Sequence, residues 1–466
     1  MCGIFGIYGH RDAAALTQLG LYSLQHRGQE SAGIVAVDDA TGARVVRAMG
    51  LVSEGFDDEE MESLQGPIAI GHTRYSTAGA SAIENAQPIL ARVRRGHIAL
   101  AHNGNLTNAV ELRRDLEDGG AIFASTMDSE VIVHRIARAT GDTPEARVAE
   151  ALRGVEGAYC LLVVLDETVV VARDPHGWRP LVMGRLADSW VFASETCALD
   201  IVGAVVEREV LPGEIVAVDR HGVRSLMALE ASPVTRCVFE HVYFARPDSK
   251  VFGGSVDRSR RALGRQLARE CPAPTADVVF AVPDSSNSAA LGFAEESRLP
   301  YELALIRNHY VGRTFIQPTQ AGRNAKVKVK YNPVREIIEG KSVVMVDDSI
   351  VRGTTTRGLV SLVRAAGARE VHMRVSSAPI ISPCYYGIDT PRREELIAAQ
   401  MTHEELTRHL GVDSLGYLSI DGMLSAMPEG PKGYCHACFS GQYPTATPAE
   451  PELLRAGSAA GLPRGR

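Results

Sequence analysis

Two rhythms of apolar and polar positions divide the chain. Over roughly the first 230 residues, short β-rich runs (GIVAV, IAIGHTRY, HIALAHNG, CLLVVL, TVVVAR, SWVFAS, EIVAV) outnumber the helical segments between them. That imbalance predicts an α+β layered sandwich rather than a simple βα alternation. From Ala276 the pattern becomes ADVVFAV, a helix-compatible SSNSAALGFAEE, YELALI, a polar stretch, KSVVMV, a second helix and VHMRVSS. Near-continuous apolar strands between amphipathic helices are what a parallel sheet covered on both faces requires. In the second helix Leu359, Leu362, Val363 and Ala366 share a face, and Gly367 supplies the stop. Thr390 before Pro391, and Thr402 with Glu405 three places on, read as two helix starts, the second a capping box. Beyond Pro444 the segment is rich in Pro, Ala and Gly and reads as a mobile tail. The expected division is a domain over 2–230, a second over 231–445 and a tail over 446–466.

Composition narrows the chemistry. A formal charge of −7 across 466 residues removes the simplest case for nucleic-acid binding, and no run of about 18 apolar residues predicts a membrane span. The N-terminus lacks the basic segment, apolar core and cleavage site of a secretory signal, so a cytoplasmic location is expected. Eight cysteines are too sparse for a disulfide scaffold, which leaves metal ligation or catalysis as reasons for any cluster.

Cys2 directly follows the initiator Met. Once that Met is removed, the α-amine, with an ordinary pKa of roughly 7.7 to 8.0, can act as general base for the adjacent thiol. Taken singly, each has a plainer alternative: Arg74 and Asp128 could be surface charges, and Asn103-Gly104 is a good hairpin turn. The ordered series CGIFGIYG, LQHRGQESAG, HTRYSTAG, ENAQP, HNGNLTN and STMDSE changes that reading. Together these segments resemble the class II glutamine amidotransferases, whose glutaminase domain is an N-terminal-nucleophile (Ntn) hydrolase of αββα fold. The resemblance implies that Cys2 attacks the glutamine amide while Asn103 and the Gly104 backbone amide form the oxyanion hole. It further implies that Arg74 pairs with the substrate α-carboxylate and Asp128 with its α-ammonium. His26 and Arg27 are expected to shape the site without touching substrate.

A second signal is KSVVMVDDSIVRGTTTRGLV, an apolar strand that ends in two acids and enters a helix through threonines. Amides and hydroxyls at a helix N-terminus cradle a dianionic phosphate, and acids at a strand's C-terminal end suit ribose hydroxyls and Mg²⁺. The string resembles the phosphoribosyl pyrophosphate (PRPP) motif of type I phosphoribosyltransferases. Within them, NHYVGRTFIQPTQ, VPDSSNSAALGFA, SSAPIISPCYYGIDT and CHACFSGQYP resemble the amidophosphoribosyltransferase family, so likeness runs from Cys2 to about Pro444. It implies PRPP binding by Asp347, Asp348, Ser349, Ile350, Val351, Arg352, Gly353, Thr354 and Thr355. One Mg²⁺ per subunit is implied at Asp347, Asp348 and Ser285. The stretch from Tyr310 to Lys330 resembles a loop that closes over PRPP, its cations suited to pyrophosphate; His309 stands where the family has Arg, and Arg313 is in place.

Cys435 and Cys438 form a CxxC, with Cys237 and Cys384 as distant singles. Chemistry alone favours a structural Cys₄ zinc. The resemblance instead implies one [4Fe-4S] cluster per subunit on these four residues, structural in role, as in one branch of the family. Cys160 reads as a small core residue, and Cys197 and Cys271 have no assigned role.

The reaction implied is glutamine, PRPP and water giving 5-phosphoribosylamine, glutamate and diphosphate, the first step of de novo purine synthesis, with ammonia passed internally. Feedback by purine nucleotides and a homotetramer are implied too. Another class II amidotransferase would need a sugar-isomerase or ATP-pyrophosphatase second half, and neither pattern occurs. A PRPP-sensing regulator with a degenerate site is opposed by the intact set Cys2, Arg74, Asn103, Gly104 and Asp128.

Overall fold

The computed structural model describes residues 1–38, 42–75, 81–94, 96–308, 329–390 and 392–448. In the first half two antiparallel sheets stack face to face. One has seven strands in the spatial order Val205–Glu209, Val182–Leu186, Ser189–Ala193, Gly3–Tyr8, Ile68–Arg74, Ser31–Asp38, Gly42–Met49. The other has six, Gly222–Met227, Glu214–Asp219, Thr168–Arg173, Gly157–Leu165, Gly96–Leu106, Ile89–Val93. Strand alternation sorts the side chains. Phe5 and Ile7 pack outward with Leu21 of the Ala13–Ser23 helix, whereas Ile4 packs inward with Ala99, Ala101 and Leu162 of the facing sheet. The outer face of the second sheet, through Leu161 and Val163, is covered by the Ser129–Arg138 and Pro144–Leu152 helices. The order helix, sheet, sheet, helix is the expected αββα sandwich.

The second half is built on a parallel sheet ordered Val278–Ala281, Ser342–Asp347, Glu370–Val375, Ser414–Tyr417. Val344 and Val346 face the Val256–Glu270 and Asn287–Ser297 helices; Val343 and Met345 face Thr354–Ala365 and His403–Leu410. Both faces are covered, which is why these strands read as continuous apolar runs. The last strand of the sandwich ends at Met227 and the next begins at Arg236.

Two local expectations are corrected. YELALI is not a strand of the parallel sheet: Tyr301 makes an isolated bridge to Val279, and Leu305–Arg307 pairs instead with Tyr331–Pro333 in a separate ribbon. No helix starts at Thr390, whose hydroxyl accepts the Cys384 N–H at 2.6 Å; a short 3₁₀ turn follows at Arg393–Glu395. A hydrogen bond to a residue six positions upstream takes the hydroxyl that the cap signal would have used. The Thr402 capping box is present, its hydroxyl accepting from Glu405 N–H and the Glu405 carboxylate from Thr402 N–H. The expected tail from 449 on, Pro391, His309, Arg313 and the expected closing loop up to residue 328 lie outside the described residues.

Candidate active site

Cys2 directly precedes the Gly3–Tyr8 strand, whose Gly3 faces Thr73 on the neighbouring Ile68–Arg74 strand. Its thiol lies 3.7 Å from the Tyr75 carbonyl, and its N–H donates to Asn103 Oδ1 at 3.3 Å, bridging the two stacked sheets. Asn103-Gly104 is not a hairpin turn. Both residues lie within the Gly96–Leu106 strand, opposite Cys160 and Tyr159. Gly104 has φ +156°, and a Cβ there would fall 1.9 Å from the Ala158 carbonyl oxygen, so only glycine leaves its amide where it is.

Arg74 is no surface charge either: it is 3% exposed and paired with the Glu30 carboxylate. Asp128 accepts from the Leu106 N–H at 2.9 Å and from the Ser129 hydroxyl at 3.2 Å, which ties it to the strand carrying Asn103 and Gly104. Behind them His102 sits between the Ser129 hydroxyl and the Ala158 carbonyl, at 2.9 and 3.2 Å. Gln87 accepts the His102 N–H and donates to Ser129, so the ENAQP and STMDSE segments clamp the oxyanion strand together. Burial lowers the pKa of neighbouring His72 to about 3, leaving a neutral ring that contacts the His102 carbonyl at 3.0 Å. Glu30, Gln87 and Ser129 lie inside the LQHRGQESAG, ENAQP and STMDSE motifs, and only the fold reveals their roles. Their signal was position inside a motif.

His26 and Arg27 turn away from the thiol toward Glu195, although Arg27 Nε also donates to the Cys2 carbonyl at 3.0 Å. Met1 is 1% exposed, and burial above all, with Arg179 and Arg27 nearby, pushes the terminal ammonium down to about 6. An amine in this surrounding is a free base at neutral pH.

In the second domain Asp347 ends its strand and Asp348 follows. Ser285 donates to Asp348 at 2.5 Å, Ser286 to Asp347 at 3.1 Å and Ser349 to Asp348 at 2.7 Å. Burial, then the charge of Asp348, pushes the Asp347 carboxyl well up; burial raises Asp348 as well, against the lowering by Ser285 and Ser349. Gly353, at φ +72°, turns the chain from Ser349–Arg352 into the Thr354–Ala365 helix, where Thr354 and Thr355 are exposed. Ile350 is buried, and the Val351 carbonyl accepts from Ile397 N–H. Arg352 pairs with Glu395 at 2.8 Å on the surface and does not enter the cradle.

All eight cysteines are free thiols. Cys237 and Cys435 face each other in register in a two-stranded parallel ribbon. The Cys438 carbonyl accepts from Ile381 and Ser382 N–H, which brings the Cys384 segment alongside, and Tyr386 N–H donates to Cys384 Sγ at 3.3 Å. Burial pushes the Cys237 thiol up to about 11 and Cys435 and Cys438 further, the thiols adding to one another. Among the described residues, no group of three or more His, Cys, Asp or Glu is placed to hold a metal ion. Cys160 is fully buried between the sheets, as expected of a core residue.

Residues 72–200 match the glutamine amidotransferase domain family, so the first half is an amidotransferase by class as well as by fold. Along the whole chain the similarity is to one kind of enzyme. The chain is 50% identical over 98% of its length to amidophosphoribosyltransferase 1, chloroplastic, of Arabidopsis thaliana, covering 80% of that protein. It is 49% identical over 95% of its length to the Bacillus subtilis amidophosphoribosyltransferase, covering 94%. A solved structure described as the allosteric regulatory enzyme of purine biosynthesis superposes with TM-score 0.92 at 47% identity, covering 98% of this chain and 99% of the other. The B. subtilis glutamine PRPP amidotransferase complexed with ADP and GMP gives 0.89 at 48%, covering 96% and 98%. The chain belongs to the amidophosphoribosyltransferase family and is an enzyme of purine biosynthesis. Among the described residues no helix is long and apolar enough to cross a membrane.

Proposed function

We propose that this chain converts glutamine, PRPP and water to 5-phosphoribosylamine, glutamate and diphosphate, with the two half-reactions at the sites described above. Removal of Met1 frees the Cys2 α-amine, which takes the thiol proton as Sγ attacks the glutamine amide. The oxyanion meets Asn103 and the Gly104 N–H, ammonia leaves, and water releases glutamate from the thioester. Arg74 and Asp128 hold the α-carboxylate and α-ammonium. The observation that carries this reading is the Cys2–Asn103 hydrogen bond, which sets the nucleophile beside an oxyanion residue from the opposite sheet.

In the second half-reaction ammonia reaches the anomeric carbon of PRPP as diphosphate leaves. Asp347 and Asp348 orient the ribose hydroxyls, and Ser349 to Thr355 take the 5-phosphate. Two buried carboxylates that repel each other, ringed by serine hydroxyls, are a donor set fit for one Mg²⁺ with Ser285. That cation supplies charge neutralisation for the diphosphate leaving group.

One [4Fe-4S] cluster on Cys237, Cys384, Cys435 and Cys438 is part of the proposal. Four thiols gathered from three segments, Cys237 in register with Cys435 and the other three near enough to raise the Cys438 thiol, form the all-sulfur donor set that such a cluster takes. When bound it fastens the C-terminal segment to the start of the second domain. Purine nucleotides as feedback inhibitors are suggested by the ADP and GMP of the B. subtilis complex. A homotetramer in the cytoplasm completes the reading, the eight free thiols suiting a reducing compartment.

The test is release of glutamate and diphosphate by anaerobically purified protein, with and without PRPP and Mg²⁺, beside Cys2→Ala supplied with glutamine or ammonia. Equal release of both products from the unaltered chain, with only the ammonia reaction surviving in the variant, is expected. Diphosphate release absent even with ammonia would reduce the reading to a glutaminase or a PRPP sensor.

A further inference from the structure

The strand that carries the oxyanion residues is backed by the other domain. Gly96–Leu106 has strand neighbours on both sides only as far as Leu100, which faces Ile89; from Ala101 to Leu106 it pairs with Gly157–Leu165 alone among the described residues. Over that half, the second domain lays Tyr385–Gly387 against it. Asn105 Nδ2 donates to the Tyr385 carbonyl at 2.9 Å. Gly387, at φ +101°, sits so close to Gly104 that a Cβ on it would stand 3.0 Å from the Gly104 carbonyl carbon, 3.1 Å from the oxygen and 3.3 Å from Cα. Gly104 is thus enclosed twice, by the Ala158 carbonyl where its own side chain would go and by Gly387 across the rest of the residue.

The covering segment has little freedom to retreat. Fully buried Arg179 donates through Nε to the Tyr386 carbonyl at 3.0 Å, and its Nη2 reaches the same oxygen. The Tyr386 ring stacks on Trp178 with centroids 4.3 Å apart and planes 14° from parallel. Three successive residues of the second domain are therefore gripped by the first: Tyr385 by Asn105, Tyr386 by Trp178 and Arg179, and Gly387 by Gly104. Beside them one oxyanion donor stands unspent. Asn103 Oδ1 takes the Cys2 N–H, while Asn103 Nδ2 is buried and has no hydrogen-bond partner among the described residues. A donor left in that state serves an anionic oxygen only if the second donor, the Gly104 N–H, stays aimed at the same point.

We infer that Gly387 and Tyr385, the latter through its backbone carbonyl, are positioning residues for amide hydrolysis at Cys2, holding the Gly104 N–H where the amide oxygen becomes an oxyanion. The inference rests on the reading that Asn103 and Gly104 form the oxyanion hole. Their contribution is made in the transition state, so its loss falls on kcat rather than on KM for glutamine.

The test compares the full chain with Gly387→Ala and Asn105→Ala. Glutamate release in the presence of PRPP and Mg²⁺ is measured beside inhibition by an aldehyde analogue of glutamine. The aldehyde reports on the hole directly: Cys2 Sγ bonds to its carbonyl carbon, the thiol proton passes to the α-amine, the C=O π bond opens, and the oxygen takes the negative charge. Alkylation of Cys2 by iodoacetamide, which creates no oxyanion, ammonia-dependent diphosphate release and bound iron serve as controls. Gly387→Ala should lower glutaminase kcat about tenfold or more and weaken aldehyde inhibition by a similar factor, with KM for glutamine within about threefold. Asn105→Ala, which removes a bond without adding an atom and so carries the test if the first variant fails to fold, should show the same split at about threefold or more. The three controls should stay within about twofold of the unaltered chain. Unchanged kcat and aldehyde inhibition in both variants overturn the inference. So does a loss shared equally by iodoacetamide alkylation or the ammonia reaction, which marks a general disturbance rather than a displaced donor. Absence of glutamine hydrolysis by the unaltered chain is a different result: it overturns the reading of the site itself, and the inference with it.

Discussion

The two candidate sites are built on opposite plans. In the glutaminase half every named polar side chain is set in a sheet or clamped by one: Asn103 is fully buried, Arg74 is 3% exposed and already paired with Glu30, and Gly104 is fixed within a strand. In the phosphoribosyl half the two acids sit at the floor, but the segment above them is a loop whose Arg352 points to surface Glu395 and whose Thr354 and Thr355 are exposed. The described residues of the first site are held by protein partners: Asn103 by Cys2, Arg74 by Glu30 and Asp128 by Leu106. The second carries two carboxyls raised by burial and, at Asp347, by the charge of its neighbour Asp348. A preformed site suits attack on a neutral amide, whereas a site meant for a highly charged substrate with its cation is best finished by that substrate.

The contrast is broken most directly at Cys2. Cys2→Ala should cost about three orders of magnitude or more in glutamate release and leave ammonia-dependent diphosphate release nearly unchanged. The reverse pattern is expected of Asp347→Asn with Asp348→Asn. Diphosphate release should fall about a hundredfold or more with either nitrogen source, while Cys2 alkylation without PRPP persists. The same acids set a pH dependence. Their folded pKa lies above the ordinary carboxylate value, so protons compete with the cation up to that raised value; PRPP–Mg²⁺ affinity, read by calorimetry, should strengthen as pH rises through it and continue to do so beyond the usual carboxylate range.

Gly104→Ala probes how rigid the first site is. A methyl 1.9 Å from the Ala158 oxygen forces the strand to shift, and loss of one oxyanion donor costs about 10²–10³ in glutaminase kcat, with the ammonia reaction as control. A smaller effect is expected of Cys435→Ser, which should lower bound iron and sulfide per chain and the melting temperature together, since the ribbon it shares with Cys237 joins the C-terminal segment to the second domain's first strand. The smallest is a pH effect on stability. Despite its burial, Glu195 is held well below the usual carboxylate range by His26 and Arg27. Its contribution is therefore present above the ordinary value of about 4.3 and lost as pH falls through the depressed one. Glu195→Gln should lower denaturation midpoints at neutral pH and converge with the parent in strong acid.

Much of this was legible before any coordinates. Strand runs, the capping box at Thr402 and the acid pair at the end of KSVVMV are local patterns, because each reflects a preference of neighbouring residues for one backbone geometry or one face. Where local preference met another partner it lost: the Thr390 cap signal yielded to a bond with Cys384 six residues upstream, while YELALI gave most of its length to loop and ribbon and the hairpin suggested by Asn103-Gly104 became mid-strand through pairing with distant segments.

The chain's order of residues determined the two layered architectures, the nucleophile and the acidic pair. Only tertiary structure decided that Arg74 meets Glu30, that Cys237 stands opposite Cys435, and that Arg27 is answered by Glu240 from the other domain. Those partners lie 44, 198 and 213 positions apart, the middle figure being the difference between 435 and 237. Periodicity and propensity act over a few residues. Pairing across such spans is fixed by which surfaces can be buried together with their charges matched, and that choice is made by the whole fold at once.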